Sequence, residues 1–210
     1  MDFNQFISQI DELQKLDLGG HSSQYKMAPK DRKLFLNDDF KNLRPKKAAV
    51  LALFYPNIRN ETCFLLTLRA NYKGVHAAQI SLPGGKFEQT DNYLKNTALR
   101  ETYEEVGVHQ SEIEILKEMT QTYIPPSNYL VSTFIGKIVS IPKFNTNHEV
   151  EQIIEVKLSD LLDKRSISSK ILSTSYLKDI DVPCFKLNNY VVWGATAMIL
   201  SEIKDLFTSL

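Results

Sequence analysis

The sequence predicts an α+β protein of the α/β/α sandwich type. Its 210 residues are enough for a single domain with a full hydrophobic core. Hydrophobic residues make up 43% and charged residues 24% of the chain, which is the composition of a globular protein. Segments rich in β-branched and aromatic residues outnumber the helical segments, and the helices are distributed among them. This pattern is typical of a sheet that packs against helices.

The first 45 residues are predicted to form an N-terminal helix and a wrapping segment ahead of a core at 46–210. Six apolar residues recur at helical spacing: Phe3, Phe6, Ile7, Ile10, Leu13 and Leu16. They predict one amphipathic helix that ends at Gly19-Gly20. Its apolar face could cap the domain, contact a second copy in a homodimer, or pack into the core, and core packing is favoured. Residues 21–45 are polar and irregular.

The core is predicted to alternate strands with a few helices. The predicted strands are 48–55, 62–68, 79–82, 113–123, 130–140, 150–156, 183–187 and 190–192. The predicted helices are 92–106, which Gly107 ends, a short helix through Leu162 that Ser159 caps, and 195–207. The segment 79–82 is expected to close in a turn at Pro83-Gly84-Gly85.

Charge and cysteine content exclude several classes of protein. Lys plus Arg and Asp plus Glu both number 25, and a zero net charge argues against a protein that coats nucleic acid. No apolar run approaches the ~20 residues of a membrane span, and the N-terminus does not resemble a signal peptide. The two cysteines, Cys63 and Cys184, form no zinc or redox motif. The expected compartment is the cytoplasm.

Three glutamates on helix 92–106 suggest a metal site. Glu101, Glu104 and Glu105 fall within about 100° of one another around the helix axis. Like charges at this spacing repel one another, and a divalent cation such as Mg²⁺ would make their grouping favourable. The glycine pair Gly84-Gly85 before the helix lets the backbone approach a ligand and present a carbonyl to it. The alternative is an ordinary solvated acidic face.

The stretch from Gly84 to Val108 resembles the Nudix box. The matching residues are Gly85, Arg100, Glu101, Glu104, Glu105, Gly107 and Val108. Three features depart from the general pattern. Asp91 replaces a Glu, the eight residues between Asp91 and Arg100 are one more than the pattern has, and Thr102 replaces an aliphatic residue.

The longer spacing and Asp91 resemble the coenzyme A pyrophosphatase-like branch of that family. Ala98 to Glu101, Leu65 to Ala70 and Val192 to Ala197 also resemble segments of the branch. Within its upstream motif, however, Gly74, Ala78 and Leu82 replace Arg, Gly and Phe. Lys73 could supply the positive charge that the branch has at position 74.

The resemblance implies a mixed sheet flanked by helices and a set of metal ligands. Glu101 and Glu105 would bind Mg²⁺ or Mn²⁺ directly, Glu104 would bind it directly or through water, and the Gly85 carbonyl would be a backbone ligand. Arg100 would orient a carboxylate, either Glu104 or Asp91. The alternative for Arg100 is a plain surface ion pair.

The resemblance also suggests a catalytic base and phosphate contacts. Glu149 or Glu151 would accept the proton, although each could be an ordinary surface acid. The predicted substrate contacts are Arg69, Lys73, His76 and Lys86, for which the alternatives are a structural histidine and solvated basic side chains.

The implied activity is metal-dependent hydrolysis of a small nucleoside diphosphate derivative. Coenzyme A is the favoured substrate, with phosphopantetheine and adenosine 3′,5′-bisphosphate as products. One alternative is a pyrophosphatase for an ADP-sugar or a dinucleotide. The other is a member that binds nucleotides without cleaving them, and the complete set of box glutamates argues against that reading.

Overall fold

A computed structural model describes residues 1–29, 43–70, 79–172 and 179–210. The strands in these residues are β1 (Lys46–Pro56), β2 (Thr62–Arg69), β3 (Ile80–Ser81), β4 (Gly84–Lys86), β5 (Glu114–Glu118), β6 (Thr122–Ile124), β7 (Tyr129–Lys137), β8 (Val150–Lys157), β9 (Ile167–Leu172), β10 (Ile180–Leu187) and β11 (Tyr190–Trp193). The helices are α1 (Phe3–Ser8), α2 (Ile10–Lys15), α3 (Gly20–Gln24), α4 (Leu94–Val106), α5 (Leu158–Leu162) and α6 (Gly194–Thr208).

The described residues form a mixed eight-stranded sheet and a separate three-stranded sheet. In the large sheet, β1 pairs in parallel with β7 on one side and antiparallel with β2 on the other. The short strand β4 also pairs with β1, and β8 extends the sheet beyond β2. Strands β9, β10 and β11 form the antiparallel small sheet. The predicted mixed sheet is confirmed.

Helices cover both faces of the large sheet. On one face, Ala52 and Phe54 of β1 belong to a core that includes side chains of α1, α2 and α6. On the other face, Leu51 and Leu53 belong to a core beneath Ala98 and other residues of α4. Because side chains alternate along a strand, a strand that is buried on both faces must be apolar at nearly every position. This confirms the predicted α/β/α sandwich.

The N-terminal region differs from the prediction in two ways. The expected single helix is divided into α1 and α2 around Gln9. The glycine pair Gly19-Gly20 does not end that helix but begins α3, so its predicted role is wrong. Side chains from α1 and α2, including Phe6 and Leu13, are almost completely buried, which is the core packing that the sequence favoured. Residues 30–42 of the predicted wrapping segment lie outside the described residues.

Four local predictions in the core are also corrected. The expected turn after Pro83 includes a strand, since Gly84–Lys86 pairs with β1. The single strand expected at 113–123 is divided into β5 and β6. Ser159 lies inside α5 rather than capping it, because the residue at the N-cap position is Lys157. Strand β9 was not predicted, since its exposed, serine-containing sequence has no clear apolar alternation.

Candidate active site

Helix α4 is held against the sheet by its buried face. Gly107 ends the helix in the left-handed conformation, with φ of 77°. Thr102, which replaces an aliphatic residue of the box pattern, is fully buried. Its hydroxyl donates to the carbonyl of Ala98 at 2.7 Å, so the polar group is satisfied within the helix. The departure at this position therefore leaves no buried donor without a partner.

The two glycines of β4 allow the strand to lie between β1 and α4. Gly84 has φ of 151°, and a Cβ atom there would come within 2.3 Å of the Ala49 carbonyl oxygen. A Cβ atom on Gly85 would lie 2.4 Å from the carboxyl group of Glu101. A larger residue at Gly84 would therefore displace the backbone of β1, and one at Gly85 would displace the Glu101 carboxyl group. The backbone of Gly85 directly adjoins one of the predicted metal ligands.

Glu105 is the most deeply buried of the three box glutamates, with only 2% of its surface exposed. Its Oε2 accepts the backbone N–H of Gly84 at 3.2 Å, and its Oε1 lies 3.5 Å from Nη1 of Arg69. Burial raises the pKa of Glu105 to about 7, while Arg69 and the Gly84 N–H oppose the rise and the nearby Glu101 and Glu149 add to it. An added positive charge would favour its ionised form.

Asp91 anchors the guanidinium group of Arg100. Nε and Nη2 of Arg100 donate to the two carboxylate oxygens at 2.8 and 3.1 Å. The Asp91 carboxylate also accepts the Thr97 hydroxyl at 2.8 Å and the backbone N–H of Glu88 at 2.9 Å. These hydrogen bonds, chiefly those from Arg100, lower the pKa of Asp91 to about 2 despite its burial.

The rest of the Arg100 side chain contacts the acidic face of α4. Nη1 donates to Glu101 at 3.1 Å and to Glu104 at 3.0 Å, and Nη2 donates to the Lys86 carbonyl at 3.0 Å. Arg100 thus contacts both carboxylates that were considered for it, Asp91 and Glu104, and Glu101 as well. Burial raises the pKa of Glu101, and the Arg100 charge opposes that rise. One guanidinium therefore holds two box glutamates at fixed positions relative to β4.

Arg69, at the end of β2, connects Glu105 with the downstream segment. Its Nη2 lies 3.7 Å from a carboxylate oxygen of Glu149, whose side chain is 47% exposed. The backbone carbonyl of Glu149 accepts the N–H of Ala70 at 2.8 Å. Glu151 is exposed on β8, and its side chain forms no hydrogen bond or ion pair with a described residue. The fold thus brings Glu149, but not Glu151, to the box carboxylates.

The donor atoms fit a hard divalent cation, although they are not gathered around one point. Within residues 1–29, 43–70, 79–172 and 179–210, no three or more His, Cys, Asp or Glu side chains are close enough to hold an ion as they stand. Arg100 pairs with Glu101 and Glu104, and Arg69 pairs with Glu105. Carboxylate and carbonyl oxygens are the ligands that Mg²⁺ and Mn²⁺ prefer. Binding would require these glutamates to turn from their arginines towards the ion.

Two of the predicted substrate contacts, Lys73 and His76, lie outside the described residues, as do Gly74 and Ala78. Lys86 has an exposed side chain, and its backbone carbonyl is engaged by Arg100. Leu82 is buried in the core, so its replacement of Phe is a packing difference.

Comparisons with known proteins identify the family of this chain. The sequence model of the NUDIX domain matches residues 45–174. The chain belongs to the Nudix family. It is 31% identical over 171 residues to the uncharacterized Nudix hydrolase NudL of Yersinia pestis (strain Pestoides F), which covers 76% of this chain and 79% of that protein. NudL of Yersinia pseudotuberculosis serotype O:1b (strain IP 31758) matches equally.

Solved Nudix structures share the fold. The Nudix hydrolase RenU from M. Smegmatis superposes with a TM-score of 0.56 at 14% identity, covering 79% of this chain and 88% of that one. A MutT/nudix family protein from Enterococcus faecalis superposes with a TM-score of 0.53 at 16% identity, covering 90% of this chain and 73% of that one. At these identities the likeness concerns the fold alone.

Membership of the Nudix family makes this chain a pyrophosphatase-type hydrolase. Nudix enzymes act on small nucleotide derivatives and generally use divalent metal ions. In the part of the chain that the structure describes, no helix is both long and apolar enough to cross a membrane.

Two residues of this Nudix site were not predicted from sequence. Thr97 donates to Asp91 from the first turns of α4, and Asn147 connects the end of α4 to Glu149. The only local signal for Asn147 is its position two residues before a glutamate, since Asn side chains often accept the backbone N–H two residues on.

Proposed function

We propose that the protein hydrolyses the diphosphate of coenzyme A, releasing phosphopantetheine and adenosine 3′,5′-bisphosphate. The observation that carries this proposal is the position of Arg69. It ends the Leu65-to-Arg69 motif that resembles the coenzyme A branch, and its guanidinium contacts both Glu105 and Glu149. The second distinguishing feature of the branch is Asp91 and its spacing from Arg100. In this structure Asp91 orients Arg100 by two hydrogen bonds.

The proposed metal ligands are Glu101, Glu105 and the Gly85 carbonyl, with Glu104 binding directly or through water. Bound Mg²⁺ or Mn²⁺ would supply charge neutralisation of the diphosphate and a lowered pKa of the attacking water. The raised pKa of Glu105 supports its assignment. Burial removes the water that would stabilise the ionised carboxylate, and a bound cation would stabilise it instead. Arg100, anchored by Asp91, lies beside Glu101 and Glu104, which would turn from it towards the ion.

The proposed general base is Glu149. Its carboxylate is half exposed and lies beside Arg69, so it can reach a water molecule while remaining near Glu105. Glu151, the other candidate from sequence, lies on β8 and forms no hydrogen bond or ion pair with a described site residue. Arg69 and Lys86 would bind phosphate oxygens, and so would Lys73 and His76, for which the sequence is the only support.

A second substrate class is favoured by one sequence observation. Gly74 stands where the coenzyme A branch has Arg. A site that recognises the 3′-phosphate of coenzyme A needs a positively charged side chain next to that phosphate. An ADP-sugar or a dinucleotide lacks that phosphate and would not need it. The complete set of Glu101, Glu104 and Glu105 at the site supports a catalytic over a purely nucleotide-binding role.

A substrate panel tests the proposal. The purified protein is incubated with coenzyme A, ADP-ribose, NADH and diadenosine tetraphosphate, in Mg²⁺ and in Mn²⁺, and the products are separated by chromatography. We expect coenzyme A to be cleaved with the highest kcat/KM. Efficient cleavage of ADP-ribose without cleavage of coenzyme A would contradict the substrate assignment while leaving the Nudix chemistry in place.

A further inference from the structure

The loop between β7 and β8 is bonded to the C-terminal end of α4. The backbone N–H of Asn145 donates to the Val106 carbonyl at 2.9 Å, and the N–H of Asn147 donates to the Glu105 carbonyl at 3.2 Å. These carbonyls belong to the last turn of α4, whose acceptors have no partner within the helix. The loop therefore completes the hydrogen bonding of the helix that carries the box glutamates.

The same loop continues directly into Glu149. The side-chain oxygen Oδ1 of Asn147 accepts the backbone N–H of Glu149 at 2.9 Å, which closes a turn over His148. On its other side, the Glu149 carbonyl accepts the N–H of Ala70, next to Arg69. The backbone of Glu149 is thus connected to α4 through Asn147 and to the end of β2 through Ala70.

We propose that Asn147 is a positioning residue that sets where the Glu149 carboxylate lies relative to Glu105. Its backbone N–H is attached to the carbonyl of Glu105 itself, and its side chain is attached to the N–H of Glu149. A shift of the loop would move Glu149 relative to the box carboxylates. The inference rests on the proposed role of Glu149 as general base, because only then does this distance affect turnover.

The test compares Asn147→Ala with Asn147→Asp. Alanine removes the acceptor for the Glu149 N–H, whereas aspartate retains an oxygen at the same position. Asn145→Ala is the matched control. Asn145 lies in the same loop as Asn147 and its backbone N–H also donates to the end of α4, but its side chain forms no hydrogen bond with a described residue. Rates are measured on whichever compound of the panel the wild type cleaves fastest, and thermal melting checks that every variant is folded.

We expect Asn147→Ala to lower kcat by about tenfold with little change in KM, because misplacing a reacting group slows chemistry more than binding. Asn147→Asp should recover most of the loss, and Asn145→Ala should match the wild type. Wild-type kcat for Asn147→Ala, or an equal loss in all three variants, would overturn the inference.

Two further measurements separate this inference from the role of Glu149. If Glu149→Gln retains the wild-type rate, the general-base assignment is wrong and the positioning role is wrong with it. If Glu149→Gln is slow but Asn147→Ala is not, only the positioning role is wrong. A crystal structure of Asn147→Ala in which Glu149 keeps its place beside Arg69 would also overturn the inference, independently of any rate.

Discussion

The ion pair between Asp91 and Arg100 should contribute measurably to stability. The pKa of Asp91 falls from its ordinary value of 3.8 to about 2 in the folded protein, chiefly because Arg100 donates to the carboxylate. One pKa unit corresponds to about 1.4 kcal/mol, so the ionised carboxylate stabilises the fold by about 2 kcal/mol. The side chain is only 3% exposed, so solvent screening reduces this value little. We expect Asp91→Asn to lower the free energy of unfolding at pH 7 by about that amount.

The pH dependence gives the same prediction a second test. A carboxylate whose pKa is lowered by folding stabilises the protein fully above its unfolded pKa, and this stabilisation is lost as the pH falls towards the folded pKa. At pH 3, the difference in free energy of unfolding between wild type and Asp91→Asn should be about half of its value at pH 7. Subtracting the variant from the wild type removes the contribution of the other carboxylates that titrate in this range.

The assay is urea unfolding followed by circular dichroism, with a chelator present so that bound metal does not contribute. Asp163→Asn is the matched control, because Asp163 also binds an arginine, Arg165, by three side-chain hydrogen bonds, but that arginine is 91% exposed. Exposed pairs contribute little to stability, so this variant should change the free energy of unfolding much less. If wild type and Asp91→Asn have equal free energies of unfolding at every pH from 7 to 3, the predicted contribution of the ion pair is wrong.

Three predictions concern activity. Glu101→Gln and Glu105→Gln should each lower turnover by orders of magnitude while the circular dichroism spectrum is unchanged, and near-wild-type rates under saturating Mg²⁺ would contradict the proposed metal site. Glu149→Ala should lower turnover without loss of Mn²⁺ binding, measured by calorimetry, whereas Glu151→Ala should retain wild-type rates; the reverse result would exchange their roles. Coenzyme A should have a higher kcat/KM than 3′-dephospho-coenzyme A, and equal values would mean that the 3′-phosphate is not recognised.

Local features of the site were predictable because they depend on short-range geometry. Helical spacing places Glu101, Glu104 and Glu105 on one face whatever the rest of the chain does. The termination of α4 at Gly107 likewise follows from the ease with which glycine adopts the left-handed conformation. Residue spacing alone could not predict which carboxylate Arg100 binds. In the structure, Arg100 donates hydrogen bonds to Asp91, Glu101 and Glu104.

Boundaries in polar or glycine-rich segments were the least predictable part of the fold. The pair Gly19-Gly20 has the composition of a helix end, yet α3 begins there. Strand β9 has exposed residues on both faces, so its pairing with β10 is not visible as an apolar alternation. In each case tertiary contacts outweigh the weak local preference.

The class of fold and the acidic face of α4 follow from the sequence alone, since both depend on periodicity. The close contacts that exclude a side chain at Gly84 appear only in the tertiary structure. Likewise, only the tertiary structure shows that Glu149, rather than Glu151, lies beside Arg69. Both lie far from α4 along the chain, and their distance to Glu105 depends on the pairing of β8 with β2 and on the hydrogen bonds of Asn147. Such distances result from the summed packing of the whole domain, which no local pattern of residues encodes.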